Sequence, residues 1–489
     1  MPSLPILVVL ITYGLILFGI GWWARRDSQS VAGYYVADKK LPSWVIAFSS
    51  NATGESAWLL LGLTGMGYAV GVHAFWIILG EVLGVALGWT LVALPFKAYG
   101  DRYNAITVPD YLEQRFRDRT HVFRWLGLII IFTMVTAYTA AQLTATGKAF
   151  NAFVGTTYEA GVIIGAIIIL YYTGIGGFKA VAYSDVLQGV LMLVGLAILP
   201  FVGFIAVGGW DPVMEGLRAA DPTLLRPMGA FGLSAAGIAS VVGFIAIGFA
   251  FLGAPQLLTR WIAARDRKEI INGGVIAVAC VVVFDVGAVF AGMAGRVLFP
   301  GLGDPETILP VMTAELMPAV FTGVFLVIVL AASMSTVDSL LILVSSSVAR
   351  DVVQKIFRPD LAEKTVALIG KLVTVVIGIG AVALAIREVR VIFTFVLFAW
   401  SGLASAFAPA VLCSLFWKRT TRAGAVTGMI AGFATAILWT LRFKEHFYDL
   451  YEMIPGFAAG FAATIIVSLM TEPPAEEIQD EFEEIRRSI

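Results

Sequence analysis

Apolar segments long enough to cross a lipid bilayer recur along the whole chain. A transmembrane helix needs about 20 consecutive, mostly apolar residues. Thirteen segments meet this requirement, and each predicts a membrane-spanning helix. The predicted spans cover residues 4–24, 43–70, 74–97, 121–147, 158–176, 180–206, 232–259, 269–298, 319–347, 365–386, 391–416, 423–441 and 453–470. We therefore expect an all-α, polytopic membrane protein with about 13 transmembrane helices.

The composition excludes several other classes of protein. Hydrophobic residues make up 59% of the 489 residues and charged residues only 14%, whereas soluble domains are about 45–50% apolar and about 25% charged. The formal net charge of −1 provides no basic surface for nucleic acid. Cys280 and Cys413 lie far apart in apolar stretches, and the sequence contains no evident metal-ligand cluster or nucleophile–base pair. We therefore expect neither an enzyme nor a nucleic-acid-binding protein.

Basic residues predict the orientation in the membrane, because cytoplasmic loops collect lysine and arginine. With the N-terminus outside, the cytoplasmic loops hold 24 of the 33 basic residues and the outside loops hold 8. We therefore predict a multi-pass protein of the cell membrane, with its N-terminus outside and its C-terminus in the cytoplasm. Residues 472–489 contain seven acids and two arginines, which predict a short, solvated helix in an acidic cytoplasmic tail.

Polar residues interrupt the second predicted span. Between Phe48 and Trp58 most residues are small or polar, and Glu55 is acidic. Threonine, asparagine, glycine and serine favour a break in the helical hydrogen-bond ladder. Such a break frees backbone carbonyls, which are hard oxygen ligands suited to a small cation. The alternative is a continuous helix that packs through its small residues, with Glu55 in a buried polar pair.

The seventh predicted span contains a second candidate break. Gly243, Gly248 and Gly253 precede Pro255 in this span, and a proline inside a helix removes a hydrogen bond and clashes with the preceding turn. The two breaks lie five spans apart. Paired breaks in corresponding halves of a membrane protein indicate the binding site of a transporter. An ordinary proline kink is the alternative interpretation of Pro255.

Hydroxyl side chains line one face of the ninth predicted span. Ala332, Ser335, Thr336 and Ser339 recur at helical spacing and share that face. Two hydroxyls and a backbone carbonyl there can complete an oxygen cage with the carbonyls freed in the second span. A cage without a dense carboxylate cluster suits a monovalent ion better than calcium or magnesium. The alternative roles are hydrogen bonds to the preceding helical turn and close helix packing.

Further acidic residues lie deep in predicted spans, where ionisable groups mark candidate transport pathways. Asp185 in the sixth span shares a face with Gln188. It is a candidate ion ligand or gate, and a structural cap is the alternative. Glu81 and Asp285 receive no specific role from the sequence, and buried structural partners are the leading interpretation of both.

Motifs along nearly the whole chain point to one family. They occur at residues 56–60, 108–111, 176–177 with 184–185 and 188, 334–336 with 338–339, 399–402, 406–409, 428–430 and 451–457. As an ordered set, these motifs resemble the sodium:solute symporter family, and within it the sodium/proline symporter subgroup.

The resemblance implies a LeuT-type core of two inverted repeats with five spans each. The implied division has an extra N-terminal helix and cytoplasmic loop at 1–42, a first repeat at 43–206 and a second repeat at 207–418. Two C-terminal helices at 419–471 and the acidic tail at 472–489 complete the chain.

The resemblance also implies a sodium ion bound between the second and ninth spans. Carried over by position, its ligands are the carbonyls of Ala52, Glu55 and Ala332 and the hydroxyls of Ser335 and Thr336. These positions agree with the oxygen cage inferred from the residue pattern. A second cation site around Asp185 and Ser339 is a further candidate.

The substrate side departs from the pattern of the subgroup. The implied substrate-binding residues are Gly54, Ser56, Ala57, Tyr138, Ile247, Phe251 and Pro255. The subgroup carries an aspartate in place of Gly54 and an aromatic pair in place of Ile247 and Phe251, so we expect a less polar pocket here. Trp58 and Leu59 stand where sugar-transporting relatives place an acid and an amide, which disfavours a sugar.

The leading hypothesis is secondary active symport of sodium and a small organic solute by alternating access, with L-proline as the first candidate. One alternative is a sodium symporter for another amino acid or a small carboxylate, with proton coupling through Glu55 as a variant. A transporter-like solute sensor is the alternative from another class. Apart from the solute and the lipid bilayer, no obligate partner is expected.

Overall fold

The computed structural model describes residues 4–387 and 392–489. Residues 1–3 and 388–391 lie outside this description, and they include the first residue of the span predicted at 391–416. Within the described residues the structure is helical, apart from one isolated β-bridge between Leu41 and Ala264. The predicted all-α class is confirmed.

The described chain contains twenty α-helices in the following order. They are α1 (Leu4–Ala24), α2 (Val31–Val36), α3 (Ser43–Ala57), α4 (Thr64–Val70), α5 (Phe75–Leu87), α6 (Ala93–Arg102), α7 (Val108–Arg115), α8 (Val122–Val154), α9 (Tyr158–Val207), α10 (Trp210–Ala220), α11 (Ala235–Ile247), α12 (Pro255–Ala263), α13 (Arg267–Leu298), α14 (Ile308–Leu316), α15 (Ala319–Ser346), α16 (Glu363–Ala385), α17 (Ile392–Phe416), α18 (Arg422–Leu438), α19 (Met453–Met470) and α20 (Glu476–Ser488). Short 3₁₀ or π-helical segments lie between several of them, including Trp58–Leu63, Gly71–Ala74, Gly88–Val92, Gly248–Leu252, Ser347–Phe357 and Trp439–Phe443.

Eleven helical stretches of the described residues are long and apolar enough to cross a membrane. Two of them, Ser43–Arg102 with 60 residues and Tyr158–Val207 with 50 residues, are much longer than one crossing, which needs about 20 residues. Each contains a glycine with positive φ at the predicted boundary between two spans, Gly71 (φ 57°) and Gly177 (φ 59°). The long helices confirm a multi-pass membrane protein, and the count of thirteen spans stays a prediction.

Both predicted helix breaks are present. The first lies at Ser56 near the end of α3, where the backbone adopts φ 56° and ψ −171°. The second separates α11 from α12, where the chain forms a 3₁₀ turn and Ala254 is extended. Pro255 is the first residue of α12, a position at which its missing N–H leaves no helical hydrogen bond unmade. Pro255 therefore begins a new helix and does not kink a continuous one.

The helix with the hydroxyl face, α15, lies at the centre of the packing. It contacts α1, α3, α8 and α9. In the most apolar 18-residue window of the stretch Ala319–Phe357, 83% of the residues are buried, whereas in that of α1 only 22% of the residues are buried. The exposed apolar side chains of α1 include Leu4, Ile11 and Leu15, which suit contact with lipid tails. The polar side chains of α15 therefore face other helices and not lipid.

The acidic tail forms the predicted helix, α20, but one face of this helix is packed against the protein. Phe482 and Ile485 are buried, and the guanidinium carbon of Arg115 lies 5.4 Å from the centre of the Phe482 ring. Arg117 forms an ion pair with Glu481 at 2.8 Å. The prediction of a solvated helix is wrong for this face, because arginines in and after α7 attract the acidic tail.

A buried arginine joins three elements at one end of the long helices. The Arg124 guanidinium donates hydrogen bonds to Asp110 (2.6 Å), Glu113 (2.7 Å) and Asp351 (2.7 Å). Burial alone raises the pKa of Asp110, but the guanidinium groups of Arg124 and Arg350 hold that pKa below its usual range. This network fixes α7 against the start of α8 and against the segment Ser347–Phe357.

Replacing Arg124 with methionine is expected to destabilise the protein by about 3–5 kcal/mol, because three buried carboxylates lose their common cation. Thermal unfolding of the purified protein in detergent measures this loss. Arg119→Met is the matched control, because Arg119 is exposed. An Arg124→Met variant that unfolds at the temperature of the control would contradict the importance of the network.

Candidate functional site

Side chains satisfy the backbone groups that the break at Ser56 leaves open. The side-chain oxygen of Gln142 accepts a hydrogen bond from the Ala57 amide at 3.1 Å. The Ser56 hydroxyl oxygen accepts one from the Trp58 amide, also at 3.1 Å. Because an unsatisfied backbone group inside a membrane costs several kcal/mol, these bonds stabilise the broken geometry. Gln142 lies in α8, and the sequence pattern assigned it no role.

The hydroxyl face of α15 meets the backbone of α3 just before the break. The Ser335 hydroxyl donates to the carbonyl oxygen of Ala52 at 2.9 Å, and the Thr336 hydroxyl donates to that of Thr53 at 3.1 Å. Both hydroxyls also lie within hydrogen-bond distance of the Ala332 carbonyl oxygen, at 3.1 and 3.4 Å. A hydroxyl can turn its proton away and offer a lone pair to a cation. The structure therefore brings together oxygen atoms from Ala52, Ala332, Ser335 and Thr336.

Glu55 differs from the other predicted sodium ligands. Its carbonyl oxygen accepts a hydrogen bond from the Trp58 amide, and the carbonyl in contact with Thr336 belongs to Thr53. The Glu55 side chain is fully buried and lies beside two further acids, Glu81 and Asp285. Sodium binding by the Glu55 carbonyl stays a prediction, and Thr53 is the additional oxygen donor that the contacts identify.

The proposed second cation site around Asp185 and Ser339 contains a cation of the protein itself. One terminal nitrogen of the Arg260 guanidinium lies 3.3 Å from the Asp185 carboxylate and 2.7 Å from the Thr53 hydroxyl. The same nitrogen donates to the Ser339 hydroxyl. Arg260 is 1% exposed and lies within α12, just beyond the end of the span predicted at 232–259. A metal ion at this position must compete with the guanidinium.

Ser49 completes the surroundings of this arginine. Its hydroxyl donates to Asp185 at 2.6 Å and accepts from the Arg260 Nε at 3.1 Å. The Thr53 and Ser339 hydroxyls lie 2.9 Å apart. This cluster links α3, α9, α12 and α15 directly beside the contact between Ala52 and Ser335. Arg260 therefore contacts hydroxyls of α3 and α15, the two helices that form the candidate sodium site.

Two of the predicted substrate-binding residues touch across the two breaks. A Cβ atom added at Gly54 would lie 2.7 Å from the Phe251 ring. Glycine at position 54 therefore allows the ring of the 3₁₀ segment after α11 to approach the backbone of α3. An aspartate at position 54, as in the sodium/proline symporter subgroup, would need the space that the Phe251 ring occupies here. The glycine and the close approach of the ring are therefore linked.

Trp400 of α17 connects the aromatic residues of this region. Its ring centre lies 5.4 Å from that of Phe251 and 6.4 Å from that of Tyr138, both in edge-to-face geometry. Its indole nitrogen donates to the carbonyl of Ile247 at 3.2 Å. The structure thus groups Tyr138, Ile247 and Phe251 around a residue that belonged to a quoted motif but to no predicted site. Pro255 is buried at the start of α12.

The residues that sequence analysis missed share one property. Arg260, Gln142 and Trp400 carry polar groups at or near the predicted spans, and each contacts a backbone or side chain at a helix break. Polar groups in apolar segments are the only signal that the sequence provided for them. Which break each one serves depends on helix packing, which the linear pattern does not contain.

Replacing Arg260 with methionine leaves the Asp185 carboxylate buried without its cation, and we expect a loss of about 3–5 kcal/mol in stability. Adding Asp185→Asn removes that charge and is expected to recover most of the loss. Thermal unfolding of both single variants and the double variant measures the interaction. Equal instability of Arg260→Met with and without Asp185→Asn would contradict charge pairing as the cause.

Comparisons with known proteins identify the family of this chain. The sequence model of the sodium:solute symporter family matches residues 34–432 of this chain. The chain is 34% identical over 468 residues to the high-affinity proline transporter PutP of Bacillus subtilis, which covers 95% of this chain and 98% of the relative. It is 32% identical to the osmoregulated proline transporter OpuE of the same organism, over 97% of this chain and 96% of the relative. It is also 32% identical to the sodium/proline symporter of Staphylococcus aureus, over 98% and 95%.

Solved structures resemble the chain in fold. A Na⁺-coupled sialic acid symporter in a substrate-bound, outward-open state has a TM-score of 0.83 at 20% identity, over 97% of this chain and 99% of that chain. A nucleobase-cation-symport-1 family transporter has a TM-score of 0.54 at 15% identity, over 94% and 99%. These likenesses confirm the predicted LeuT-type fold, and the boundaries of the repeats stay a prediction. The family match over residues 34–432 and the relatives that are 32–34% identical over nearly the full chain show that the chain belongs to the sodium:solute symporter family, a family of transporters and not of enzymes.

Proposed function

We propose that this protein is a sodium-coupled symporter of L-proline. The observation that carries the proposal is the contact of Ser335 and Thr336 in α15 with the carbonyls of Ala52 and Thr53. The curated relatives that are 32–34% identical over nearly the full chain are described as proline transporters or sodium/proline symporters, which supports proline as the solute.

Sodium binding at this contact couples the ion to the substrate. Carbonyl and hydroxyl oxygens from α3 and α15 replace the water around the ion, so the ion holds the two helices together. The proposed substrate pocket begins at Gly54, the residue after Thr53 in α3, and the same helix therefore forms part of both sites. By linkage, proline must raise the affinity for sodium by the factor by which sodium raises the affinity for proline.

The proposed pocket suits a small, largely apolar amino acid. The rings of Phe251, Trp400 and Tyr138 present apolar surfaces to the aliphatic ring of proline. Short helices begin after both breaks, and the positive ends of half-helices at transporter breaks face anionic groups of substrates. We place the proline carboxylate there, between the break at Ser56 and the start of α12 at Pro255.

Sodium supplies enough free energy for uptake by alternating access. Moving one charge through a membrane potential of 100 mV supplies about 2.3 kcal/mol, which corresponds to about 50-fold accumulation because 1.4 kcal/mol is a factor of ten. Rocking of one helix bundle against the other then exposes the site to the opposite side. The excess of basic residues in the predicted cytoplasmic loops supports an N-terminus outside and a C-terminus in the cytoplasm.

Uptake of radiolabelled L-proline into proteoliposomes tests the proposal. An inward sodium gradient is expected to drive accumulation, whereas an equal potassium gradient is not. The Ser335→Ala/Thr336→Ala variant is expected to lose most of this uptake, because two sodium ligands are removed. Ser333→Ala is the matched control, because the Ser333 hydroxyl donates to the Val329 carbonyl of its own helix at 3.1 Å and to no other described residue.

Each outcome of this experiment has a distinct meaning. Proline uptake that is equal in sodium and potassium would overturn sodium coupling. Sodium binding without proline uptake would overturn proline as the solute, and uptake of other labelled amino acids and small carboxylates would then identify the substrate class. Uptake that does not saturate with proline would contradict a carrier mechanism.

The contact between Gly54 and Phe251 yields a separate prediction. The methyl group of Gly54→Ala would displace the Phe251 ring, so we expect a KM for proline raised several-fold. Adding Phe251→Leu is expected to restore part of the affinity by making room. Gly14→Ala is the control, because an added Cβ at Gly14 meets nothing within 4 Å. A KM for Gly54→Ala equal to that of the control would place proline elsewhere.

A further inference from the structure

Three acidic side chains from three different helices meet inside the protein, and the proposed symport mechanism uses none of them. Glu55 lies in α3, Glu81 in α5 and Asp285 in α13. Each offers one carboxylate oxygen that lies within 4.8 Å of those of the other two. We refer to Glu55, Glu81 and Asp285 as the carboxylate triad.

The carboxylate triad is buried, and its oxygens lack partners. Glu55 and Asp285 are fully buried and Glu81 is 3% exposed. The Glu55 and Glu81 side chains lie within hydrogen-bond distance of each other. Outside the triad, both carboxylate oxygens of Glu55, both of Asp285 and one of Glu81 have no hydrogen-bond partner among the described residues. Buried polar atoms in folded proteins are almost always paired. Each triad residue contributes at least one such oxygen, and one oxygen from each residue lies close to the other two. The buried triad therefore needs positive charge or hydrogen-bond donors to stabilise these oxygens.

No basic side chain of the described residues forms an ion pair with the carboxylate triad. None of the ion pairs found there involves a member of the carboxylate triad. The titratable neighbours include the phenols of Tyr138 in α8 and of Tyr451 just before α19, which carry no positive charge. A buried carboxylate without a counter-charge is strongly destabilising, and three of them repel one another. Two other buried acids differ in this respect, since Asp185 pairs with Arg260 and Glu452 pairs with Lys444.

The spacing of the oxygens defines the size of a cation that fits. For three atoms no more than 4.8 Å apart, plane geometry guarantees a point within about 2.8 Å of all three. Calcium binds oxygen ligands at about 2.3–2.6 Å, whereas magnesium demands about 2.0–2.1 Å and gives up its water reluctantly. A shift of a few tenths of an ångström therefore suffices for an ion of the size of calcium or sodium, and magnesium fits poorly.

We propose that the carboxylate triad is a second binding site for a metal cation of the size of Na⁺ or Ca²⁺, distinct from the contact between Ala52 and Ser335. The ligands are carboxylate oxygens of Glu55, Glu81 and Asp285, which are hard donors suited to such ions. Binding there ties α3 to α5 and α13, close to the break at Ser56. This inference does not depend on which solute the protein transports.

Equilibrium binding of ²²Na⁺ and of ⁴⁵Ca²⁺ to the purified full-length protein in detergent, without proline, tests the proposal. For at least one of these ions we expect a binding site that weakens ten-fold or more in Asp285→Asn and in Glu81→Gln. The same site is expected to persist in Ser335→Ala/Thr336→Ala. The two isotopes identify the ion that the triad binds. If the triad binds sodium, we expect two Na⁺ per chain, one at the triad and one between α3 and α15. If the triad binds calcium, we expect one Ca²⁺ per chain.

Glu452→Gln is the matched control for this experiment. It also removes one buried, fully enclosed carboxylate, but one that pairs with Lys444 at 2.8 Å outside the carboxylate triad. We expect both ions to bind this variant as they bind the wild type. Binding that falls equally in the control and in the triad variants would overturn the proposal, because the loss would then follow from any buried substitution.

Thermal unfolding provides a second readout that separates ligand loss from misfolding. In a cation-free buffer, Asp285→Asn is expected to unfold at a higher temperature than the wild type, because one of three repelling charges is gone. The cation is expected to raise the unfolding temperature of the wild type but not that of the variant. If neither ion binds the wild type at a site sensitive to Asp285 or Glu81, the carboxylate triad is not a metal site. That result would leave sodium-driven proline uptake through Ser335 and Thr336 unaffected.

Discussion

Backbone carbonyls inside a membrane need partners, and the break near the end of α3 supplies carbonyls that the helix itself no longer satisfies. The hydroxyls of Ser335 and Thr336 bond to the carbonyls of Ala52 and Thr53, while Gln142 satisfies the amide beyond the break. The central helix α15 is therefore held against α3 by groups that can also bind an ion. Both the candidate sodium site and the proposed pocket depend on this one interrupted hydrogen-bond ladder.

Buried acidic side chains occur in two kinds of surroundings in this protein, with a basic partner or without one. Arg260 neutralises Asp185 beside the hydroxyl face, and Arg124 neutralises three acids at one end of the long helices. No basic side chain in the part of the chain that the structure describes pairs with the carboxylate triad, although its member Glu55 lies on α3. Because isolated charge is costly in a low dielectric, this contrast indicates that positive charge reaches the triad from outside the chain.

Much of the fold follows from patterns that the sequence displays directly. Long apolar segments predict the membrane helices, and Ser56 and Pro255 lie where small residues, glycines and proline predict breaks. The hydroxyls at helical spacing predict one polar face on α15. These predictions succeed because each depends on local chemistry, namely the length of an apolar run, the conformational freedom of glycine, or the helical period. The solvated tail helix fails as a prediction because Phe482 packs against Arg115, a contact between residues far apart in the chain.

The sequence by itself determined the membrane class, the helix breaks and the hydroxyl face, since hydrophobicity and backbone preference act on neighbouring residues. Only the tertiary structure decided which polar groups meet. It placed Arg260 at Asp185, Thr53 at Thr336, and Trp400 against Phe251. It also assembled Glu55, Glu81 and Asp285, which are separated by 26 and 204 positions along the chain. These contacts arise because helices pack through their small and apolar faces. The strength of the interactions between charged groups depends on the distances that this packing sets.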